Sequence, residues 1–222
     1  MKIKAVLFDV GETLIRATPP AEVMRKILEA FEIKRSAEEI EEARKAVEKN
    51  ANIEELPILG EDFWVKWNGQ ILEDLGIRNN TLFLAKKITE LWWRYSEVEL
   101  YPDAEKALEL LKQKELKIGI ITNGLKSDID EILPKIGLKE FFDVEVASNT
   151  IGKMKPCKEV FQHALKKLNV LPYETLFVGD TVQYDYEGAT QCGLKALLVD
   201  RKNNVKENVE KIESLTELLN HI

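Results

Sequence analysis

Three short apolar runs in this chain each end on residues able to do chemistry. Val6-Leu7-Phe8 leads into Asp9, Ile118-Gly119-Ile120-Ile121 into Thr122-Asn123-Gly124, and Leu176-Phe177-Val178 into Gly179-Asp180. A carboxylate is both a nucleophile and a ligand for hard divalent cations. A threonine hydroxyl donates and accepts hydrogen bonds, and glycine lets a backbone approach a ligand closely. A single Asp after a strand is usually a turn former. Three such ends, with Gly11, Gly124 and Gly179 beside them, argue instead for one site assembled from distant parts of the chain.

That assembly requires a particular fold. Residues 3–9 are too short for a helix and read as a strand. From about residue 100 onward, helices alternate with short apolar runs. Strands are expected at 117–121, 143–147, 175–178 and 196–199. Helices are expected at 103–114, 126–136, 157–168, 184–192 and 214–220. This alternation predicts an α/β fold, a Rossmann-like parallel sheet with helices on both faces. In a parallel sheet all C-terminal strand ends share one edge, and ligands bind in the crevice outside it. Asp9, Thr122 and Asp180 therefore converge.

The intervening stretch has a different texture. Four helical patterns run at 20–32, 37–52, 61–75 and 80–97, without strands between them. Ser36 with Glu39 three residues later is a capping-box signature, and Gly76 is placed as a C-cap. We read residues 16–99 as an inserted α-helical bundle, and 1–15 with 100–222 as the core domain.

Composition narrows the function. A hydrophobic fraction of 45% in 222 residues permits a packed core, so the chain is not disordered. The net charge of −7, without a basic block, argues against nucleic acid. No run approaches the ~18 apolar residues needed to cross a bilayer. Two cysteines, Cys157 and Cys192, form no metal or disulfide framework and suggest a reducing compartment, the cytoplasm.

Two more segments complete a pattern: Gly152-Lys153-Met154-Lys155-Pro156, and Val178-Gly179-Asp180-Thr181-Val182-Gln183-Tyr184-Asp185. Together with Phe8-Asp9-Val10-Gly11-Glu12-Thr13-Leu14 and Ile121-Thr122-Asn123-Gly124, in this order, they resemble the haloacid dehalogenase-like hydrolase superfamily. The resemblance covers nearly the whole chain, with the helical insert where that family's first cap type lies. It implies a magnesium-dependent phosphatase of small phosphate esters. Asp9 would attack phosphorus and form an aspartyl-phosphate. Asp9, the Gly11 carbonyl and Asp180 would hold Mg²⁺, with Asp185 a further ligand or a partner to the ligands. Thr122, the Asn123 amide and Gly124 would receive the phosphoryl group, and Lys155 would balance charge on nucleophile and substrate. The insert would act as a cap that closes and selects substrate. Monomer and homodimer both remain open.

One position departs from the family. Its phosphatases carry a second Asp two residues after the nucleophile, as general acid and base; here that residue is Gly11. Positioned acid–base catalysis contributes roughly 10²–10⁴-fold, or about 3–5 kcal/mol of barrier. Glu12 is adjacent but is expected to point elsewhere. Gly11 keeps alternatives in view: a 2-haloacid dehalogenase-type hydrolase, a phosphonate hydrolase using a cap lysine such as Lys66, or a weakly catalytic binder of a phosphometabolite or protein. Retention of both Asp180 and Asp185 argues against the dehalogenase. The cap tryptophans Trp64, Trp67, Trp92 and Trp93 are expected to pack the bundle core or the seam between cap and core.

Overall fold

The computed structural model describes residues 2–222. The chain divides into two compact units, Met1–Arg16 with Glu99–Ile222, and Ala17–Val98.

The first unit is built on a six-stranded parallel sheet flanked by helices. In chain order its strands are β1 (Ala5–Phe8), β4 (Lys117–Ile121), β5 (Val144–Val146), β6 (Thr175–Gly179), β7 (Lys195–Val199) and β8 (Lys211–Ile212). They lie side by side as β5-β4-β1-β6-β7-β8. The central β1 pairs with β4 and β6, with Phe8 opposite both Ile120 and Val178. All four β1 residues are fully buried, as a strand covered on both faces must be. Ala5, Leu7 and Phe177 pack with Phe161, Ala164 and Leu165 of the helix Lys158–Leu168. The Phe161 and Phe177 rings meet edge to face at 5.2 Å. On β4, Gly119 is required by close packing: a Cβ there would lie 2.3 Å from Val144 Cγ1 and 2.8 Å from Leu7 Cδ2.

Several elements differ from the sequence expectation. Strand β8 spans two residues, too few to register as a period-two pattern. The last helix, expected at 214–220, is a 3₁₀ segment, Leu215–His221. The helix expected at 184–192 is a π-helical turn, Val182–Glu187, followed by the short α-helix Gly188–Gln191. Two short strands, β2 (Ile15–Ala17) and β3 (Val98–Leu100), pair with each other at the two ends of the insert.

The second unit is helical. Its main helices are Pro20–Ala30, Ala37–Glu48, Glu61–Asp74 and Thr81–Tyr95. Ser36 caps Ala37–Glu48 through a capping box: its Oγ accepts from the Glu39 amide, and the Glu39 carboxylate accepts from the Ser36 amide. Trp67 is buried and stacks edgewise on Trp64 at 5.9 Å, so this pair packs the bundle. The buried Asn68 amide donates to Thr89, tying the last two helices together. Among the described residues, no helix is long and apolar enough to cross a membrane.

Candidate active site

The end of β1 places Asp9 beside the ends of its two neighbouring strands. The Asp9 amide donates to the Val178 carbonyl on β6 at 2.9 Å, which fixes the start of the following turn. The amides of Leu14 and Ile15 both donate to the Val10 carbonyl, closing that turn tightly. Asp9 is 8% exposed and Lys155 2%. Lys155 Nζ lies 2.6 Å from Asp9 Oδ1 and 2.6 Å from Asp185 Oδ1, and 5.5 Å from the centre of the Phe177 ring. Its neighbour in sequence, Lys153, is exposed.

Asp185 is aimed by the π-helical turn. The Tyr186 amide donates to the Thr181 carbonyl, the i→i+5 bond of that geometry. Asp185 Oδ2 then accepts from the Thr181 amide at 2.9 Å and from the Thr181 hydroxyl at 2.5 Å. With Lys155 on Oδ1, both Asp185 oxygens are engaged. The side chain lies directly over Gly179, where a Cβ would come within 2.4 Å of Asp185 Cγ. Gly179 is therefore required by this carboxylate.

Asp9, Asp180 and Asp185 each bring a carboxylate oxygen within 4.8 Å of the others. Three carboxylates against the one ammonium of Lys155 leave an excess of two negative charges when all are ionised. The electrostatics carry the mark of that excess. Burial, aided by the charge of Asp185 and opposed by Lys155, raises the Asp9 carboxyl to about 6. Burial and the charges of Asp9 and Asp185 raise Asp180 to about 7. Burial alone would lower the Lys155 ammonium, but Asp9 and Asp185 outweigh it and hold it above its ordinary value. All-oxygen donors with two surplus negative charges match a hard divalent cation such as Mg²⁺.

The loop after β4 forms the neighbouring wall. Thr122 Oγ1 accepts from the Gly124 amide at 3.1 Å, and the Gly124 carbonyl accepts from both the amide and hydroxyl of Ser148. The Asn123 amide finds no acceptor among the described residues. It remains available to an oxyanion.

At Gly11 the backbone is accessible, and a Cβ built there would meet nothing within 4 Å. Glu12 adopts a positive φ of 54°, and its carboxylate accepts from the Tyr101 hydroxyl at 3.3 Å. The Glu12 side chain is thus committed to Tyr101. Sequence reasoning named Asp9, Thr122, Asn123, Lys155, Asp180 and Asp185 but missed Thr181. The Thr-x₃-Asp spacing from 181 to 185 was its one signal. It also missed Arg201, whose guanidinium donates to Asp103 at 2.7 Å and to the Thr13 carbonyl at 2.8 Å, and stacks 3.8 Å over Tyr101. Nothing near Arg201 in the sequence announces those partners.

A parallel sheet whose edge gathers a buried carboxylate, a lysine and further acids is the arrangement expected of a hydrolase of the haloacid dehalogenase-like kind. The family model described as haloacid dehalogenase-like hydrolase matches residues 3–193, and the chain belongs to that family. A glyceraldehyde 3-phosphate phosphatase of Methanothermobacter thermautotrophicus is 26% identical, over 98% of this chain and all of the relative. The structure of a HAD phosphatase from Thermococcus onnurineus aligns with a TM-score of 0.67 and 26% identity, covering 99% of this chain and 97% of that one. A 2-haloacid dehalogenase from Pseudomonas syringae pv. tomato aligns with a TM-score of 0.74 at 23% identity, covering 98% and 97%. That likeness speaks for the fold.

Proposed function

We propose that this hydrolase is a magnesium-dependent phosphatase of small phosphate esters that works through Asp9. The observation that carries the reading is the surplus of carboxylate around a buried Asp9–Lys155 pair, with Asp180 in reach and Asp185 tied back by Thr181. A carbon-centred hydrolase attacking neutral carbon gains nothing from two extra acids. A phosphatase needs a dication between two anions, and those acids supply its donors.

Asp9, Asp180 and the Gly11 carbonyl are the residues that would hold Mg²⁺, which when bound would offset the negative charge of carboxylate and phosphate. Asp185 adds its charge while its own oxygens stay on Lys155 and Thr181. The remaining steps belong to the protein. An Asp9 oxygen attacks phosphorus, an aspartyl-phosphate forms, and the ester oxygen departs with its electron pair. The Thr122 hydroxyl and the Asn123 amide donate to the phosphoryl oxygens, and Lys155 stabilises charge developing between nucleophile and phosphate. Water then hydrolyses the aspartyl-phosphate. Without a carboxylate at position 11, the first step favours leaving groups that depart unprotonated. The helical insert serves as the substrate-selecting cap, and the Methanothermobacter relative points to short phosphorylated aldehydes such as glyceraldehyde 3-phosphate as the substrate class.

The test is hydrolysis of p-nitrophenyl phosphate, then glyceraldehyde 3-phosphate, with and without magnesium, using Asp9→Asn as the blank. Magnesium-dependent release that vanishes in Asp9→Asn is expected. A folded protein that binds magnesium yet releases nothing from either ester would sink the reading and leave a binding role.

A further inference from the structure

Lys155 must bring one ammonium to two carboxylates at once, yet its backbone sits in a loop between the short helix Ser148–Ile151 and the helix Lys158–Leu168. A lysine head on four rotatable bonds is placed only as well as its Cα. Freezing such a side chain opposes order by roughly 2 kcal/mol. Among the described residues, the Lys155 amide and carbonyl find one partner, the side chain of Asn123. Asn123 Oδ1 accepts from the Lys155 amide at 2.7 Å, and Asn123 Nδ2 donates to the Lys155 carbonyl at 3.1 Å. The primary amide thus imitates a strand pair, and two bonds fix both the position and the orientation of residue 155. Asn123 is itself anchored, because its loop follows β4 directly and Ser148 holds Gly124.

We infer that the Asn123 side chain is a positioning residue for Lys155, setting the distance of its ammonium to Asp9. One residue then serves two ends: its backbone amide is left for the phosphoryl group, and its side chain holds the lysine loop. The side chain chemistry is specific. Aspartate would keep the acceptor but set an oxygen against the Lys155 carbonyl. Serine is too short for both bonds, and glutamine is one methylene too long. The inference rests on the proposed reaction for its kinetic readout only. The geometry of the Asn123–Lys155 exchange is independent of what is hydrolysed.

The experiment is a double-mutant cycle with a spectroscopic companion. Asn123→Ala should lower kcat/KM for p-nitrophenyl phosphate by roughly 10–10²-fold, the scale of a misplaced catalytic group. In a Lys155→Met background the same change should cost less than about twofold, because the group it positions is gone. A full drop in that background would overturn the inference. The companion readout needs no turnover. With ¹³C-labelled lysine, the ε-methylene of Lys155, assigned by its loss in Lys155→Met, should be displaced by the Phe177 ring and have two distinct protons. In Asn123→Ala, or in the milder Asn123→Ser if alanine does not fold, that signal should move toward the exposed lysines such as Lys153. An unmoved signal in a folded variant would likewise overturn the inference. If wild-type protein hydrolyses no phosphate ester, the functional reading fails, and the methylene signal still decides this one.

Discussion

Two ionic clusters stand within the sheet unit, one buried and one half-buried, and they are built on opposite terms. Around Asp9, three carboxylates gather and one lysine pairs with two of them, Asp9 and Asp185. Around Asp103, one carboxylate collects many donors: its Oδ2 accepts from Arg201, from the Ser214 hydroxyl and from the Leu215 amide. Burial alone would raise the Asp103 carboxyl, but the Arg201 and Leu215 hydrogen bonds outweigh it and hold it below the ordinary carboxylate value. At Asp180, burial and the charges of Asp9 and Asp185 prevail over its own backbone amide and over Lys155, and it is pushed up to about 7. A satisfied carboxylate ties the C-terminal segment to the fold. A group of carboxylates in excess over its cations stores repulsion that a ligand can relieve, and that contrast marks the candidate site.

The contrast breaks most sharply if the two acids are neutralised. Asp180→Asn should raise the metal-free stability near pH 8, while abolishing magnesium-dependent turnover. The rise from 3.8 to about 7 sets the scale at on the order of 2–4 kcal/mol. Asp103→Asn should lower stability by about 1.5–3 kcal/mol, the range for hydrogen bonds to a charged group. Thermal melts of both variants without metal decide the matter, and a destabilised Asp180→Asn would erase the distinction.

The same acids fix the pH dependence. Asp180 binds its proton more tightly folded than unfolded, so the stability it contributes is present below about pH 4. That stability is lost as pH rises through about 7. Metal-free protein should therefore melt lower at pH 8 than at pH 5. Asp103, depressed when folded, acts oppositely: its contribution is present above about pH 4 and is lost in more acidic solution. Magnesium at about a hundred times its Kd should add roughly 2.7 kcal/mol at pH 8, and chelation should remove it. Melts that are flat from pH 5 to 8 would contradict the surplus-charge account.

A smaller effect is expected at the turn joining the clusters, since Asp9 opens it and the Thr13 carbonyl receives Arg201. A side chain at position 11 meets open space, so Gly11→Asp should fold. It should speed ester turnover by roughly 10–10²-fold, within the range of positioned acid–base catalysis. No gain in a folded, metal-binding variant would show that another group already supplies the proton. The smallest effect belongs to the Glu12–Tyr101 contact. It is exposed and 3.3 Å long, so Tyr101→Phe should change turnover less than about twofold and stability by less than about 0.5 kcal/mol.

How far the molecule could be read in advance follows from the range of the forces involved. The strand-like runs at 3–9, 117–121 and 175–178 are local patterns, and each ends where its polar or glycine residues begin. The parallel arrangement then brings Asp9, Thr122 and Asp180 to one edge without further information. The capping box at Ser36 was legible for the same reason, because both of its bonds span three residues. The π-helical turn was not: residues 182–187 carry an ordinary helical pattern, and the i→i+5 bond arises from Asp185 folding back onto Thr181 and Lys155.

By itself, then, the sequence determined the five longer strands of the sheet, the helical character of the insert, and the acids and glycines at the sheet edge, because these depend on neighbours a few residues away. Tertiary structure alone decided that Asn123 faces Lys155 across 32 residues, that Glu12 turns to Tyr101 across 89, and that Arg201 reaches Thr13 across 188. Such partners are chosen by the fold that brings them together. A buried donor or acceptor takes whichever group the fold sets beside it, and no local pattern records that choice.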